Sequence, residues 1–167
     1  MSVKPVKLNP IHKILLATDG SVTTILEALT GKTIKVETVE QKVIPADPST
    51  AQLLNIQEGD QVNYRVVNLK VDNTIMAHAI SHTPLKRLKE DFREDLMKAD
   101  LPIGKIIKKH KLEVRREIRW GKVETADKLS NIFNISPQDP ILSRNYSIIH
   151  NGDILINITE HFPYSSF

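Results

Sequence analysis

The 167-residue chain contains no cysteine. That excludes disulfides, thiolate zinc sites, iron–sulfur clusters and cysteine nucleophiles together. Aromatic residues are scarce, at 5% with a single tryptophan, which leaves little stacking surface for single-stranded nucleic acid. No stretch approaches the roughly 18 consecutive apolar residues of a membrane helix. The opening MSVKPVKLNP also lacks the apolar run of a secretory signal. Neither charge sign dominates: 23 Lys plus Arg face 20 Asp plus Glu, leaving a formal +3. That surplus is too slight to imply nucleic acid without a clustered basic face, but it suits a small anion. The expectation is a cytoplasmic protein with a small-molecule partner, no nucleic acid and no membrane, as a monomer or homodimer. Familiar catalytic signatures are missing as well: there is no G-x-S-x-G, P-loop, G-x-G-x-x-G or H-E-x-x-H.

What is present is ordinary globular material, 40% hydrophobic and 26% charged, of a length that favours one domain. Residues 1–10, broken by Pro5 and Pro10, are expected as a flexible arm and 11–167 as a single domain. Apolar spacing predicts a short helix over 11–16 and a second one through Ile25, Leu26 and Leu29, stopping near Gly31. Alternation predicts a strand over 33–44, and a small helix follows at 49–57. Two hairpins stand out. Strands 62–71 and 74–83 flank Asp72-Asn73, and strands 139–149 and 153–162 flank Asn151-Gly152, the strongest turn signal in the chain. Between them lie helical pieces over 85–111, with Pro102 at the start of the last, then a strand at 112–123 and a helix at 125–133. Hairpins outnumber βαβ units, so the reading is α+β, a single antiparallel sheet with helices packed on it.

The chain also repeats itself. A constant offset of 79 residues relates Arg65 to Arg144, His82 to His161 and Pro84 to Pro163 without a gap. A small helix precedes each copy, so two helix-plus-hairpin units are expected about a pseudo-twofold axis. Just before the shared histidine one copy has Ser81 and the other Glu160. A charge asymmetry inside a repeat suggests a site, although drift between copies would produce it too.

Three constellations stand out. His78 and His82 share a strand face and His161 is related to His82, but such spacing has no metal specificity, and structural histidines are the plainer account. Lys105, Lys108, Lys109, Lys111, Arg115, Arg116 and Arg119 form a basic cluster that suits a solvated face or the steering of an anion. Arg65 lies on a partly apolar strand face and needs an anion, because burying an unpaired charge is costly. Its planar fork suits a carboxylate. That carboxylate is either a ligand's or Glu160 of the protein itself.

Together these residues resemble a known family. Ile14-Leu-Leu-Ala-Thr-Asp-Gly-Ser-Val-Thr23 leading into a helix is similar to the opening of chorismate–pyruvate lyases. Arg65 in its strand, Leu101-Pro-Ile-Gly104 opening a helix, Arg144, and Thr159-Glu160-His-Phe-Pro163 follow in that family's order, over about residues 11–163. The resemblance implies a chorismate lyase-like fold of about six antiparallel strands enclosing its ligand under helical flaps. It implies elimination of pyruvate from chorismate to give 4-hydroxybenzoate, with no metal and no cofactor. It makes Arg65 the clamp on the ring carboxylate, with the Val22 backbone N–H and the Ile103 opening beside it. Glu160 would stand at the ring hydroxyl, so Arg65 and Glu160 are the expected catalytic pair. One arginine of those lyases has no counterpart, since Ile80 stands at the aligned position. Arg115 or Arg116 would replace it, and the choice of Arg115, Arg116 or Arg144 as a substrate contact stays open. The stretch from Ala126 to Arg144 also resembles effector-binding domains of bacterial transcription regulators. Those usually follow a winged helix, for which the residues before Ile34 are too few. The alternative reading is therefore a non-catalytic domain that binds a small aromatic or carboxylate effector.

Overall fold

Asn9 caps helix α1 (Pro10–Ala17). Its side chain accepts from the His12 amide at 3.0 Å and its own amide donates to His12 Nδ1 at 3.2 Å. The computed structural model describes residues 5–98 and 101–167. Within that range, residues 5–10 of the expected arm make contacts with the rest of the chain. Pro10 is the first helical residue, Leu8 packs on the core, and the Lys7 carbonyl accepts from the Tyr164 hydroxyl at 2.6 Å. Residues 1–4 of that arm lie outside the described residues, as do 99–100 of the expected helical stretch.

Ser21 caps α2 (Val22–Thr30), which ends at Gly31 with φ +68, a left-handed conformation that glycine adopts without penalty. The strands are β1 (Lys35–Pro45), β2 (Gln61–Val71), β3 (Thr74–Pro84), β4 (Arg115–Thr125), β5 (Pro140–His150) and β6 (Asp153–Pro163). Helix α3 (Pro48–Leu54) separates β1 from β2. Helices α4 (Glu90–Lys98) and α5 (Ile103–Lys109) separate β3 from β4, and α6 (Ser130–Phe133) precedes β5. Pro102 sits one residue earlier than expected, as the cap of α5 rather than within its first turn.

The strands form one six-stranded sheet in the order β1-β2-β3-β6-β5-β4, every pairing antiparallel. The repeat governs this order. β2 and β3 reappear as β5 and β6 at the offset of 79, and the two halves join at β3 and β6. There Ile80 pairs with Thr159, its own counterpart, so the pseudo-twofold axis runs between them. Irregularities recur at equivalent places: between Thr38 and Glu40 in β1 and between Ile118 and Trp120 in β4. The repeat extends further than the hairpins, because the α1–α2 pair and the α4–α5 pair occupy equivalent positions before β1 and β4. Each pair closes one apolar core. Leu15, Val22 and Leu26 pack with Leu142 and Phe162, whereas Phe92, Leu96 and Ile106 pack with Tyr146, Ile148 and Ile156. Burying side chains of this kind contributes about 1.5–3 kcal/mol each.

Candidate active-site pocket

Alternation along β2, β3, β5 and β6 turns Arg65, Val67, Ala79, Ser81, Tyr146, Ile158 and Glu160 to one face of the sheet. The openings of α2 and α5 roof that face. Between them lies a narrow pocket. It gathers Val22, Arg65, Ile103 and Glu160, residues the sequence places far apart. It straddles the pseudo-twofold axis, so its walls come in equivalent pairs: Val67 and Tyr146, Leu69 and Ile148, Ala79 and Ile158, Ser81 and Glu160. Symmetry of position thus meets asymmetry of chemistry.

Arg65 is 1% exposed, and its Nη2 donates to the Leu101 carbonyl at 3.0 Å, beneath the start of α5. Its counterpart Arg144 is fully buried and engaged differently. Arg144 Nε donates to Glu160 Oε2 at 2.7 Å, Nη1 donates to the Thr18 carbonyl at 2.7 Å, and the guanidinium lies 4.7 Å from the Tyr146 ring centroid. The Tyr146 hydroxyl donates to Glu160 Oε1 at 2.9 Å. Burial raises the Tyr146 pKa above the ordinary phenol value, and the Glu160 charge adds to the rise, so this hydroxyl stays a donor. Glu160 thus pairs with Arg144 and not, as the sequence alternative has it, with Arg65. The register explains why. Arg144 stands directly opposite Glu160 on β5 and β6, whereas Arg65 stands opposite Ser81 on β2 and β3.

The remaining candidates separate cleanly. Arg116 lines the pocket, while Arg115, 65% exposed at its side chain, pairs with Glu117 at 2.7 Å on the outer surface. Ile80 belongs to the other face, so an arginine there would not enter this pocket. The histidines lie on that other face too, with the rings of His78 and His161 stacked at 6.2 Å. His78 bonds Asn68 Oδ1 at 2.8 Å, and burial pushes its pKa down to about 4, with His161 adding to the shift. Burial also lowers His82 and His161. Among the described residues no group of three or more His, Cys, Asp or Glu is arranged to hold a metal ion. Lys105 and Lys109 of the basic cluster reach Glu27 at 3.4 Å and Asp95 at 2.9 Å. Sequence reasoning missed Tyr146 and the part played by Arg144. The signal available for Arg144 was its repeat relation to Arg65 combined with hairpin register, which places it across from Glu160.

The fold defines a class, α+β domains with one six-stranded antiparallel sheet, and solved domains of bacterial regulators share it. The effector domain of PhnF from Mycobacterium smegmatis superposes with a TM-score of 0.70 at 16% identity, covering 86% of this chain and 88% of that one. A GntR-family transcriptional regulator from Bacillus cereus gives 0.63 at 18%, covering 80% and 94%. At these identities the likeness concerns the fold alone. The sequence itself goes further: the model of the family described as "Chorismate pyruvate-lyase Rv2949c-like" matches residues 16–166. The chain belongs to that family. A Methanocaldococcus jannaschii protein named "Putative lyase MJ0807" is 42% identical over 157 residues, covering 90% of this chain and 77% of that protein. Among the described residues no helix is long and apolar enough to cross a membrane.

Proposed function

We propose that the protein eliminates pyruvate from chorismate to give 4-hydroxybenzoate. One observation carries this reading. A single pocket holds a buried guanidinium, Arg65, and a salt-bridged carboxylate, Glu160, with Val67, Leu69, Ala79, Ile148 and Ile158 as apolar wall. A planar ring gripped by its carboxylate and met at its hydroxyl suits that arrangement. The Val22 and Thr23 amides belong to the first turn of α2, where backbone donors have no partner within the helix, and they add positive potential at the mouth.

In the reaction the ring C3–O bond breaks, the C4 hydrogen leaves, and the methylene carbon of the enolpyruvyl group gains a proton to become the methyl of pyruvate. Aromatisation supplies much of the driving force. The pocket's main task is then to hold the ether in a reactive conformer and keep water out. Glu160, with one oxygen on Arg144 and the other on Tyr146, is fixed in place as an acceptor for the C4 hydroxyl. The test is direct. Chorismate is added, 4-hydroxybenzoate is followed by ultraviolet absorbance and pyruvate by coupled reduction, and equimolar release is expected. Tight binding of 4-hydroxybenzoate without any turnover would instead identify an effector-binding module, the reading that the shared regulator fold favours.

A further inference from the structure

The pocket's two flanks occupy equivalent positions in the two halves, yet they differ by a full charge. Val36 on β1 pairs with Leu69, and Arg116 on β4 pairs with Ile148, the counterpart of Leu69. All of these side chains line the pocket. One flank is thus apolar and the other carries a guanidinium. A methyl group placed on Gly104 would lie 3.8 Å from Arg116 Nη2 and 3.2 Å from Ser21 Oγ. The Arg116 side chain therefore reaches the seam where α2 and α5 open. Its Nε is buried with no hydrogen-bond partner among the described residues. Glu160 is the one acid among the described residues that line this space, and it bonds Arg144 and Tyr146 rather than Arg116. Arg116 as a whole is half-buried, but its sequestered Nε lacks a partner, and an anion at this flank would supply one.

We propose that Arg116 receives a second carboxylate of the ligand, carried on a substituent beside β4, so that the site selects dianions. This deepens the lyase reading and takes from it the orientation of the ring, with Arg65 on the ring carboxylate. Under that reading the substrate carries both carboxylates and the aromatic product only one. Arg116 then holds the substrate and leaves the product ungripped at that flank. A dry pocket that suits a planar phenol otherwise retains its product, so this charge favours release.

The test needs no turnover. Two stable aromatic acids serve as probes: 3-(carboxymethoxy)-4-hydroxybenzoate, which has the second carboxylate, and 4-hydroxy-3-methoxybenzoate, which lacks it. Calorimetry at fixed ionic strength compares them on the wild type and on Arg116→Gln. The wild type is expected to prefer the dicarboxylate by about tenfold or more, the scale of a charge-assisted hydrogen bond. Arg116→Gln is expected to abolish that preference while holding the methyl ether within about twofold. Equal losses on both probes would place Arg116 on the ring carboxylate and overturn the proposal, and so would a preference that survives the substitution. If neither probe binds the wild type, the proposal and the lyase reading fall together. If the preference depends on Arg116 but chorismate is not turned over, the lyase reading falls alone.

Discussion

Glu160 answers to two neighbours, and substituting them separately distinguishes its roles. In Glu160→Gln the fully buried Arg144 loses its counter-charge. A broken buried pair of this kind costs about 3–5 kcal/mol, so a lowered Tm is expected. Tyr146→Phe spares that pair and deletes one hydrogen bond to Oε1, at about 1 kcal/mol. In the lyase reading both variants lose turnover per folded molecule, Glu160→Gln the more, and each loses less affinity for 4-hydroxybenzoate than rate. Normal turnover in a destabilised Glu160→Gln would confine Glu160 to structure. At the other end of the pocket, Arg65→Lys keeps the charge but forfeits the planar fork. Product binding should weaken by about 1.5–3 kcal/mol. An affinity within twofold of wild type, by calorimetry, would remove Arg65 from the carboxylate.

At the scale of elements, the pocket depends on two flaps whose openings nearly touch. Gly104 lies in the first turn of α5 beside the Ser21 cap of α2. Gly104→Ala improves helix propensity by up to about 1 kcal/mol, yet its methyl presses on Ser21 Oγ at 3.2 Å. Tm should hold or rise while 4-hydroxybenzoate affinity falls, since the flaps must part to accept the methyl. A variant that binds as tightly as wild type would show that the seam stays open during binding. The hairpins needed no such tertiary fit. Asn151 and Gly152 both take positive φ, at +51 and +81, as a tight hairpin requires, and the dipeptide announces it.

Across the whole molecule, the seam between the halves carries a pH dependence. His78 and His161 are register partners where β3 meets β6. The folded pKa of His78, about 4, lies below the ordinary histidine value near 6.5, so the unfolded chain binds the proton more readily between those values. Stability is therefore full above about pH 6.5 and declines as pH falls toward 4, by about 3 kcal/mol from this group. His161 and His82 shift in the same direction. The expected observation is a Tm that drops between pH 7 and pH 4.5, and a smaller drop in His78→Asn. Equal drops in the two proteins would show that His78 is not the group responsible.

The chain's own pattern was enough for the hairpins, the antiparallel sheet and the repeat, and it singled out Arg65 and Glu160, which the fold brings to one pocket. Each of these rests on local chemistry: period-two alternation, turn residues with positive φ, and a charge that an apolar face does not tolerate alone. The extension of the repeat to the flap helices was not legible, because helices that bury different partners share few residue types. Pairing was decided only by the folded sheet. Register places Arg144, not Arg65, opposite Glu160, and turns Ile80 away from the pocket while turning Arg116 into it. A strand's sequence tells which residues share a face, but which charge faces which across strands depends on how the strands align. That alignment belongs to the tertiary structure.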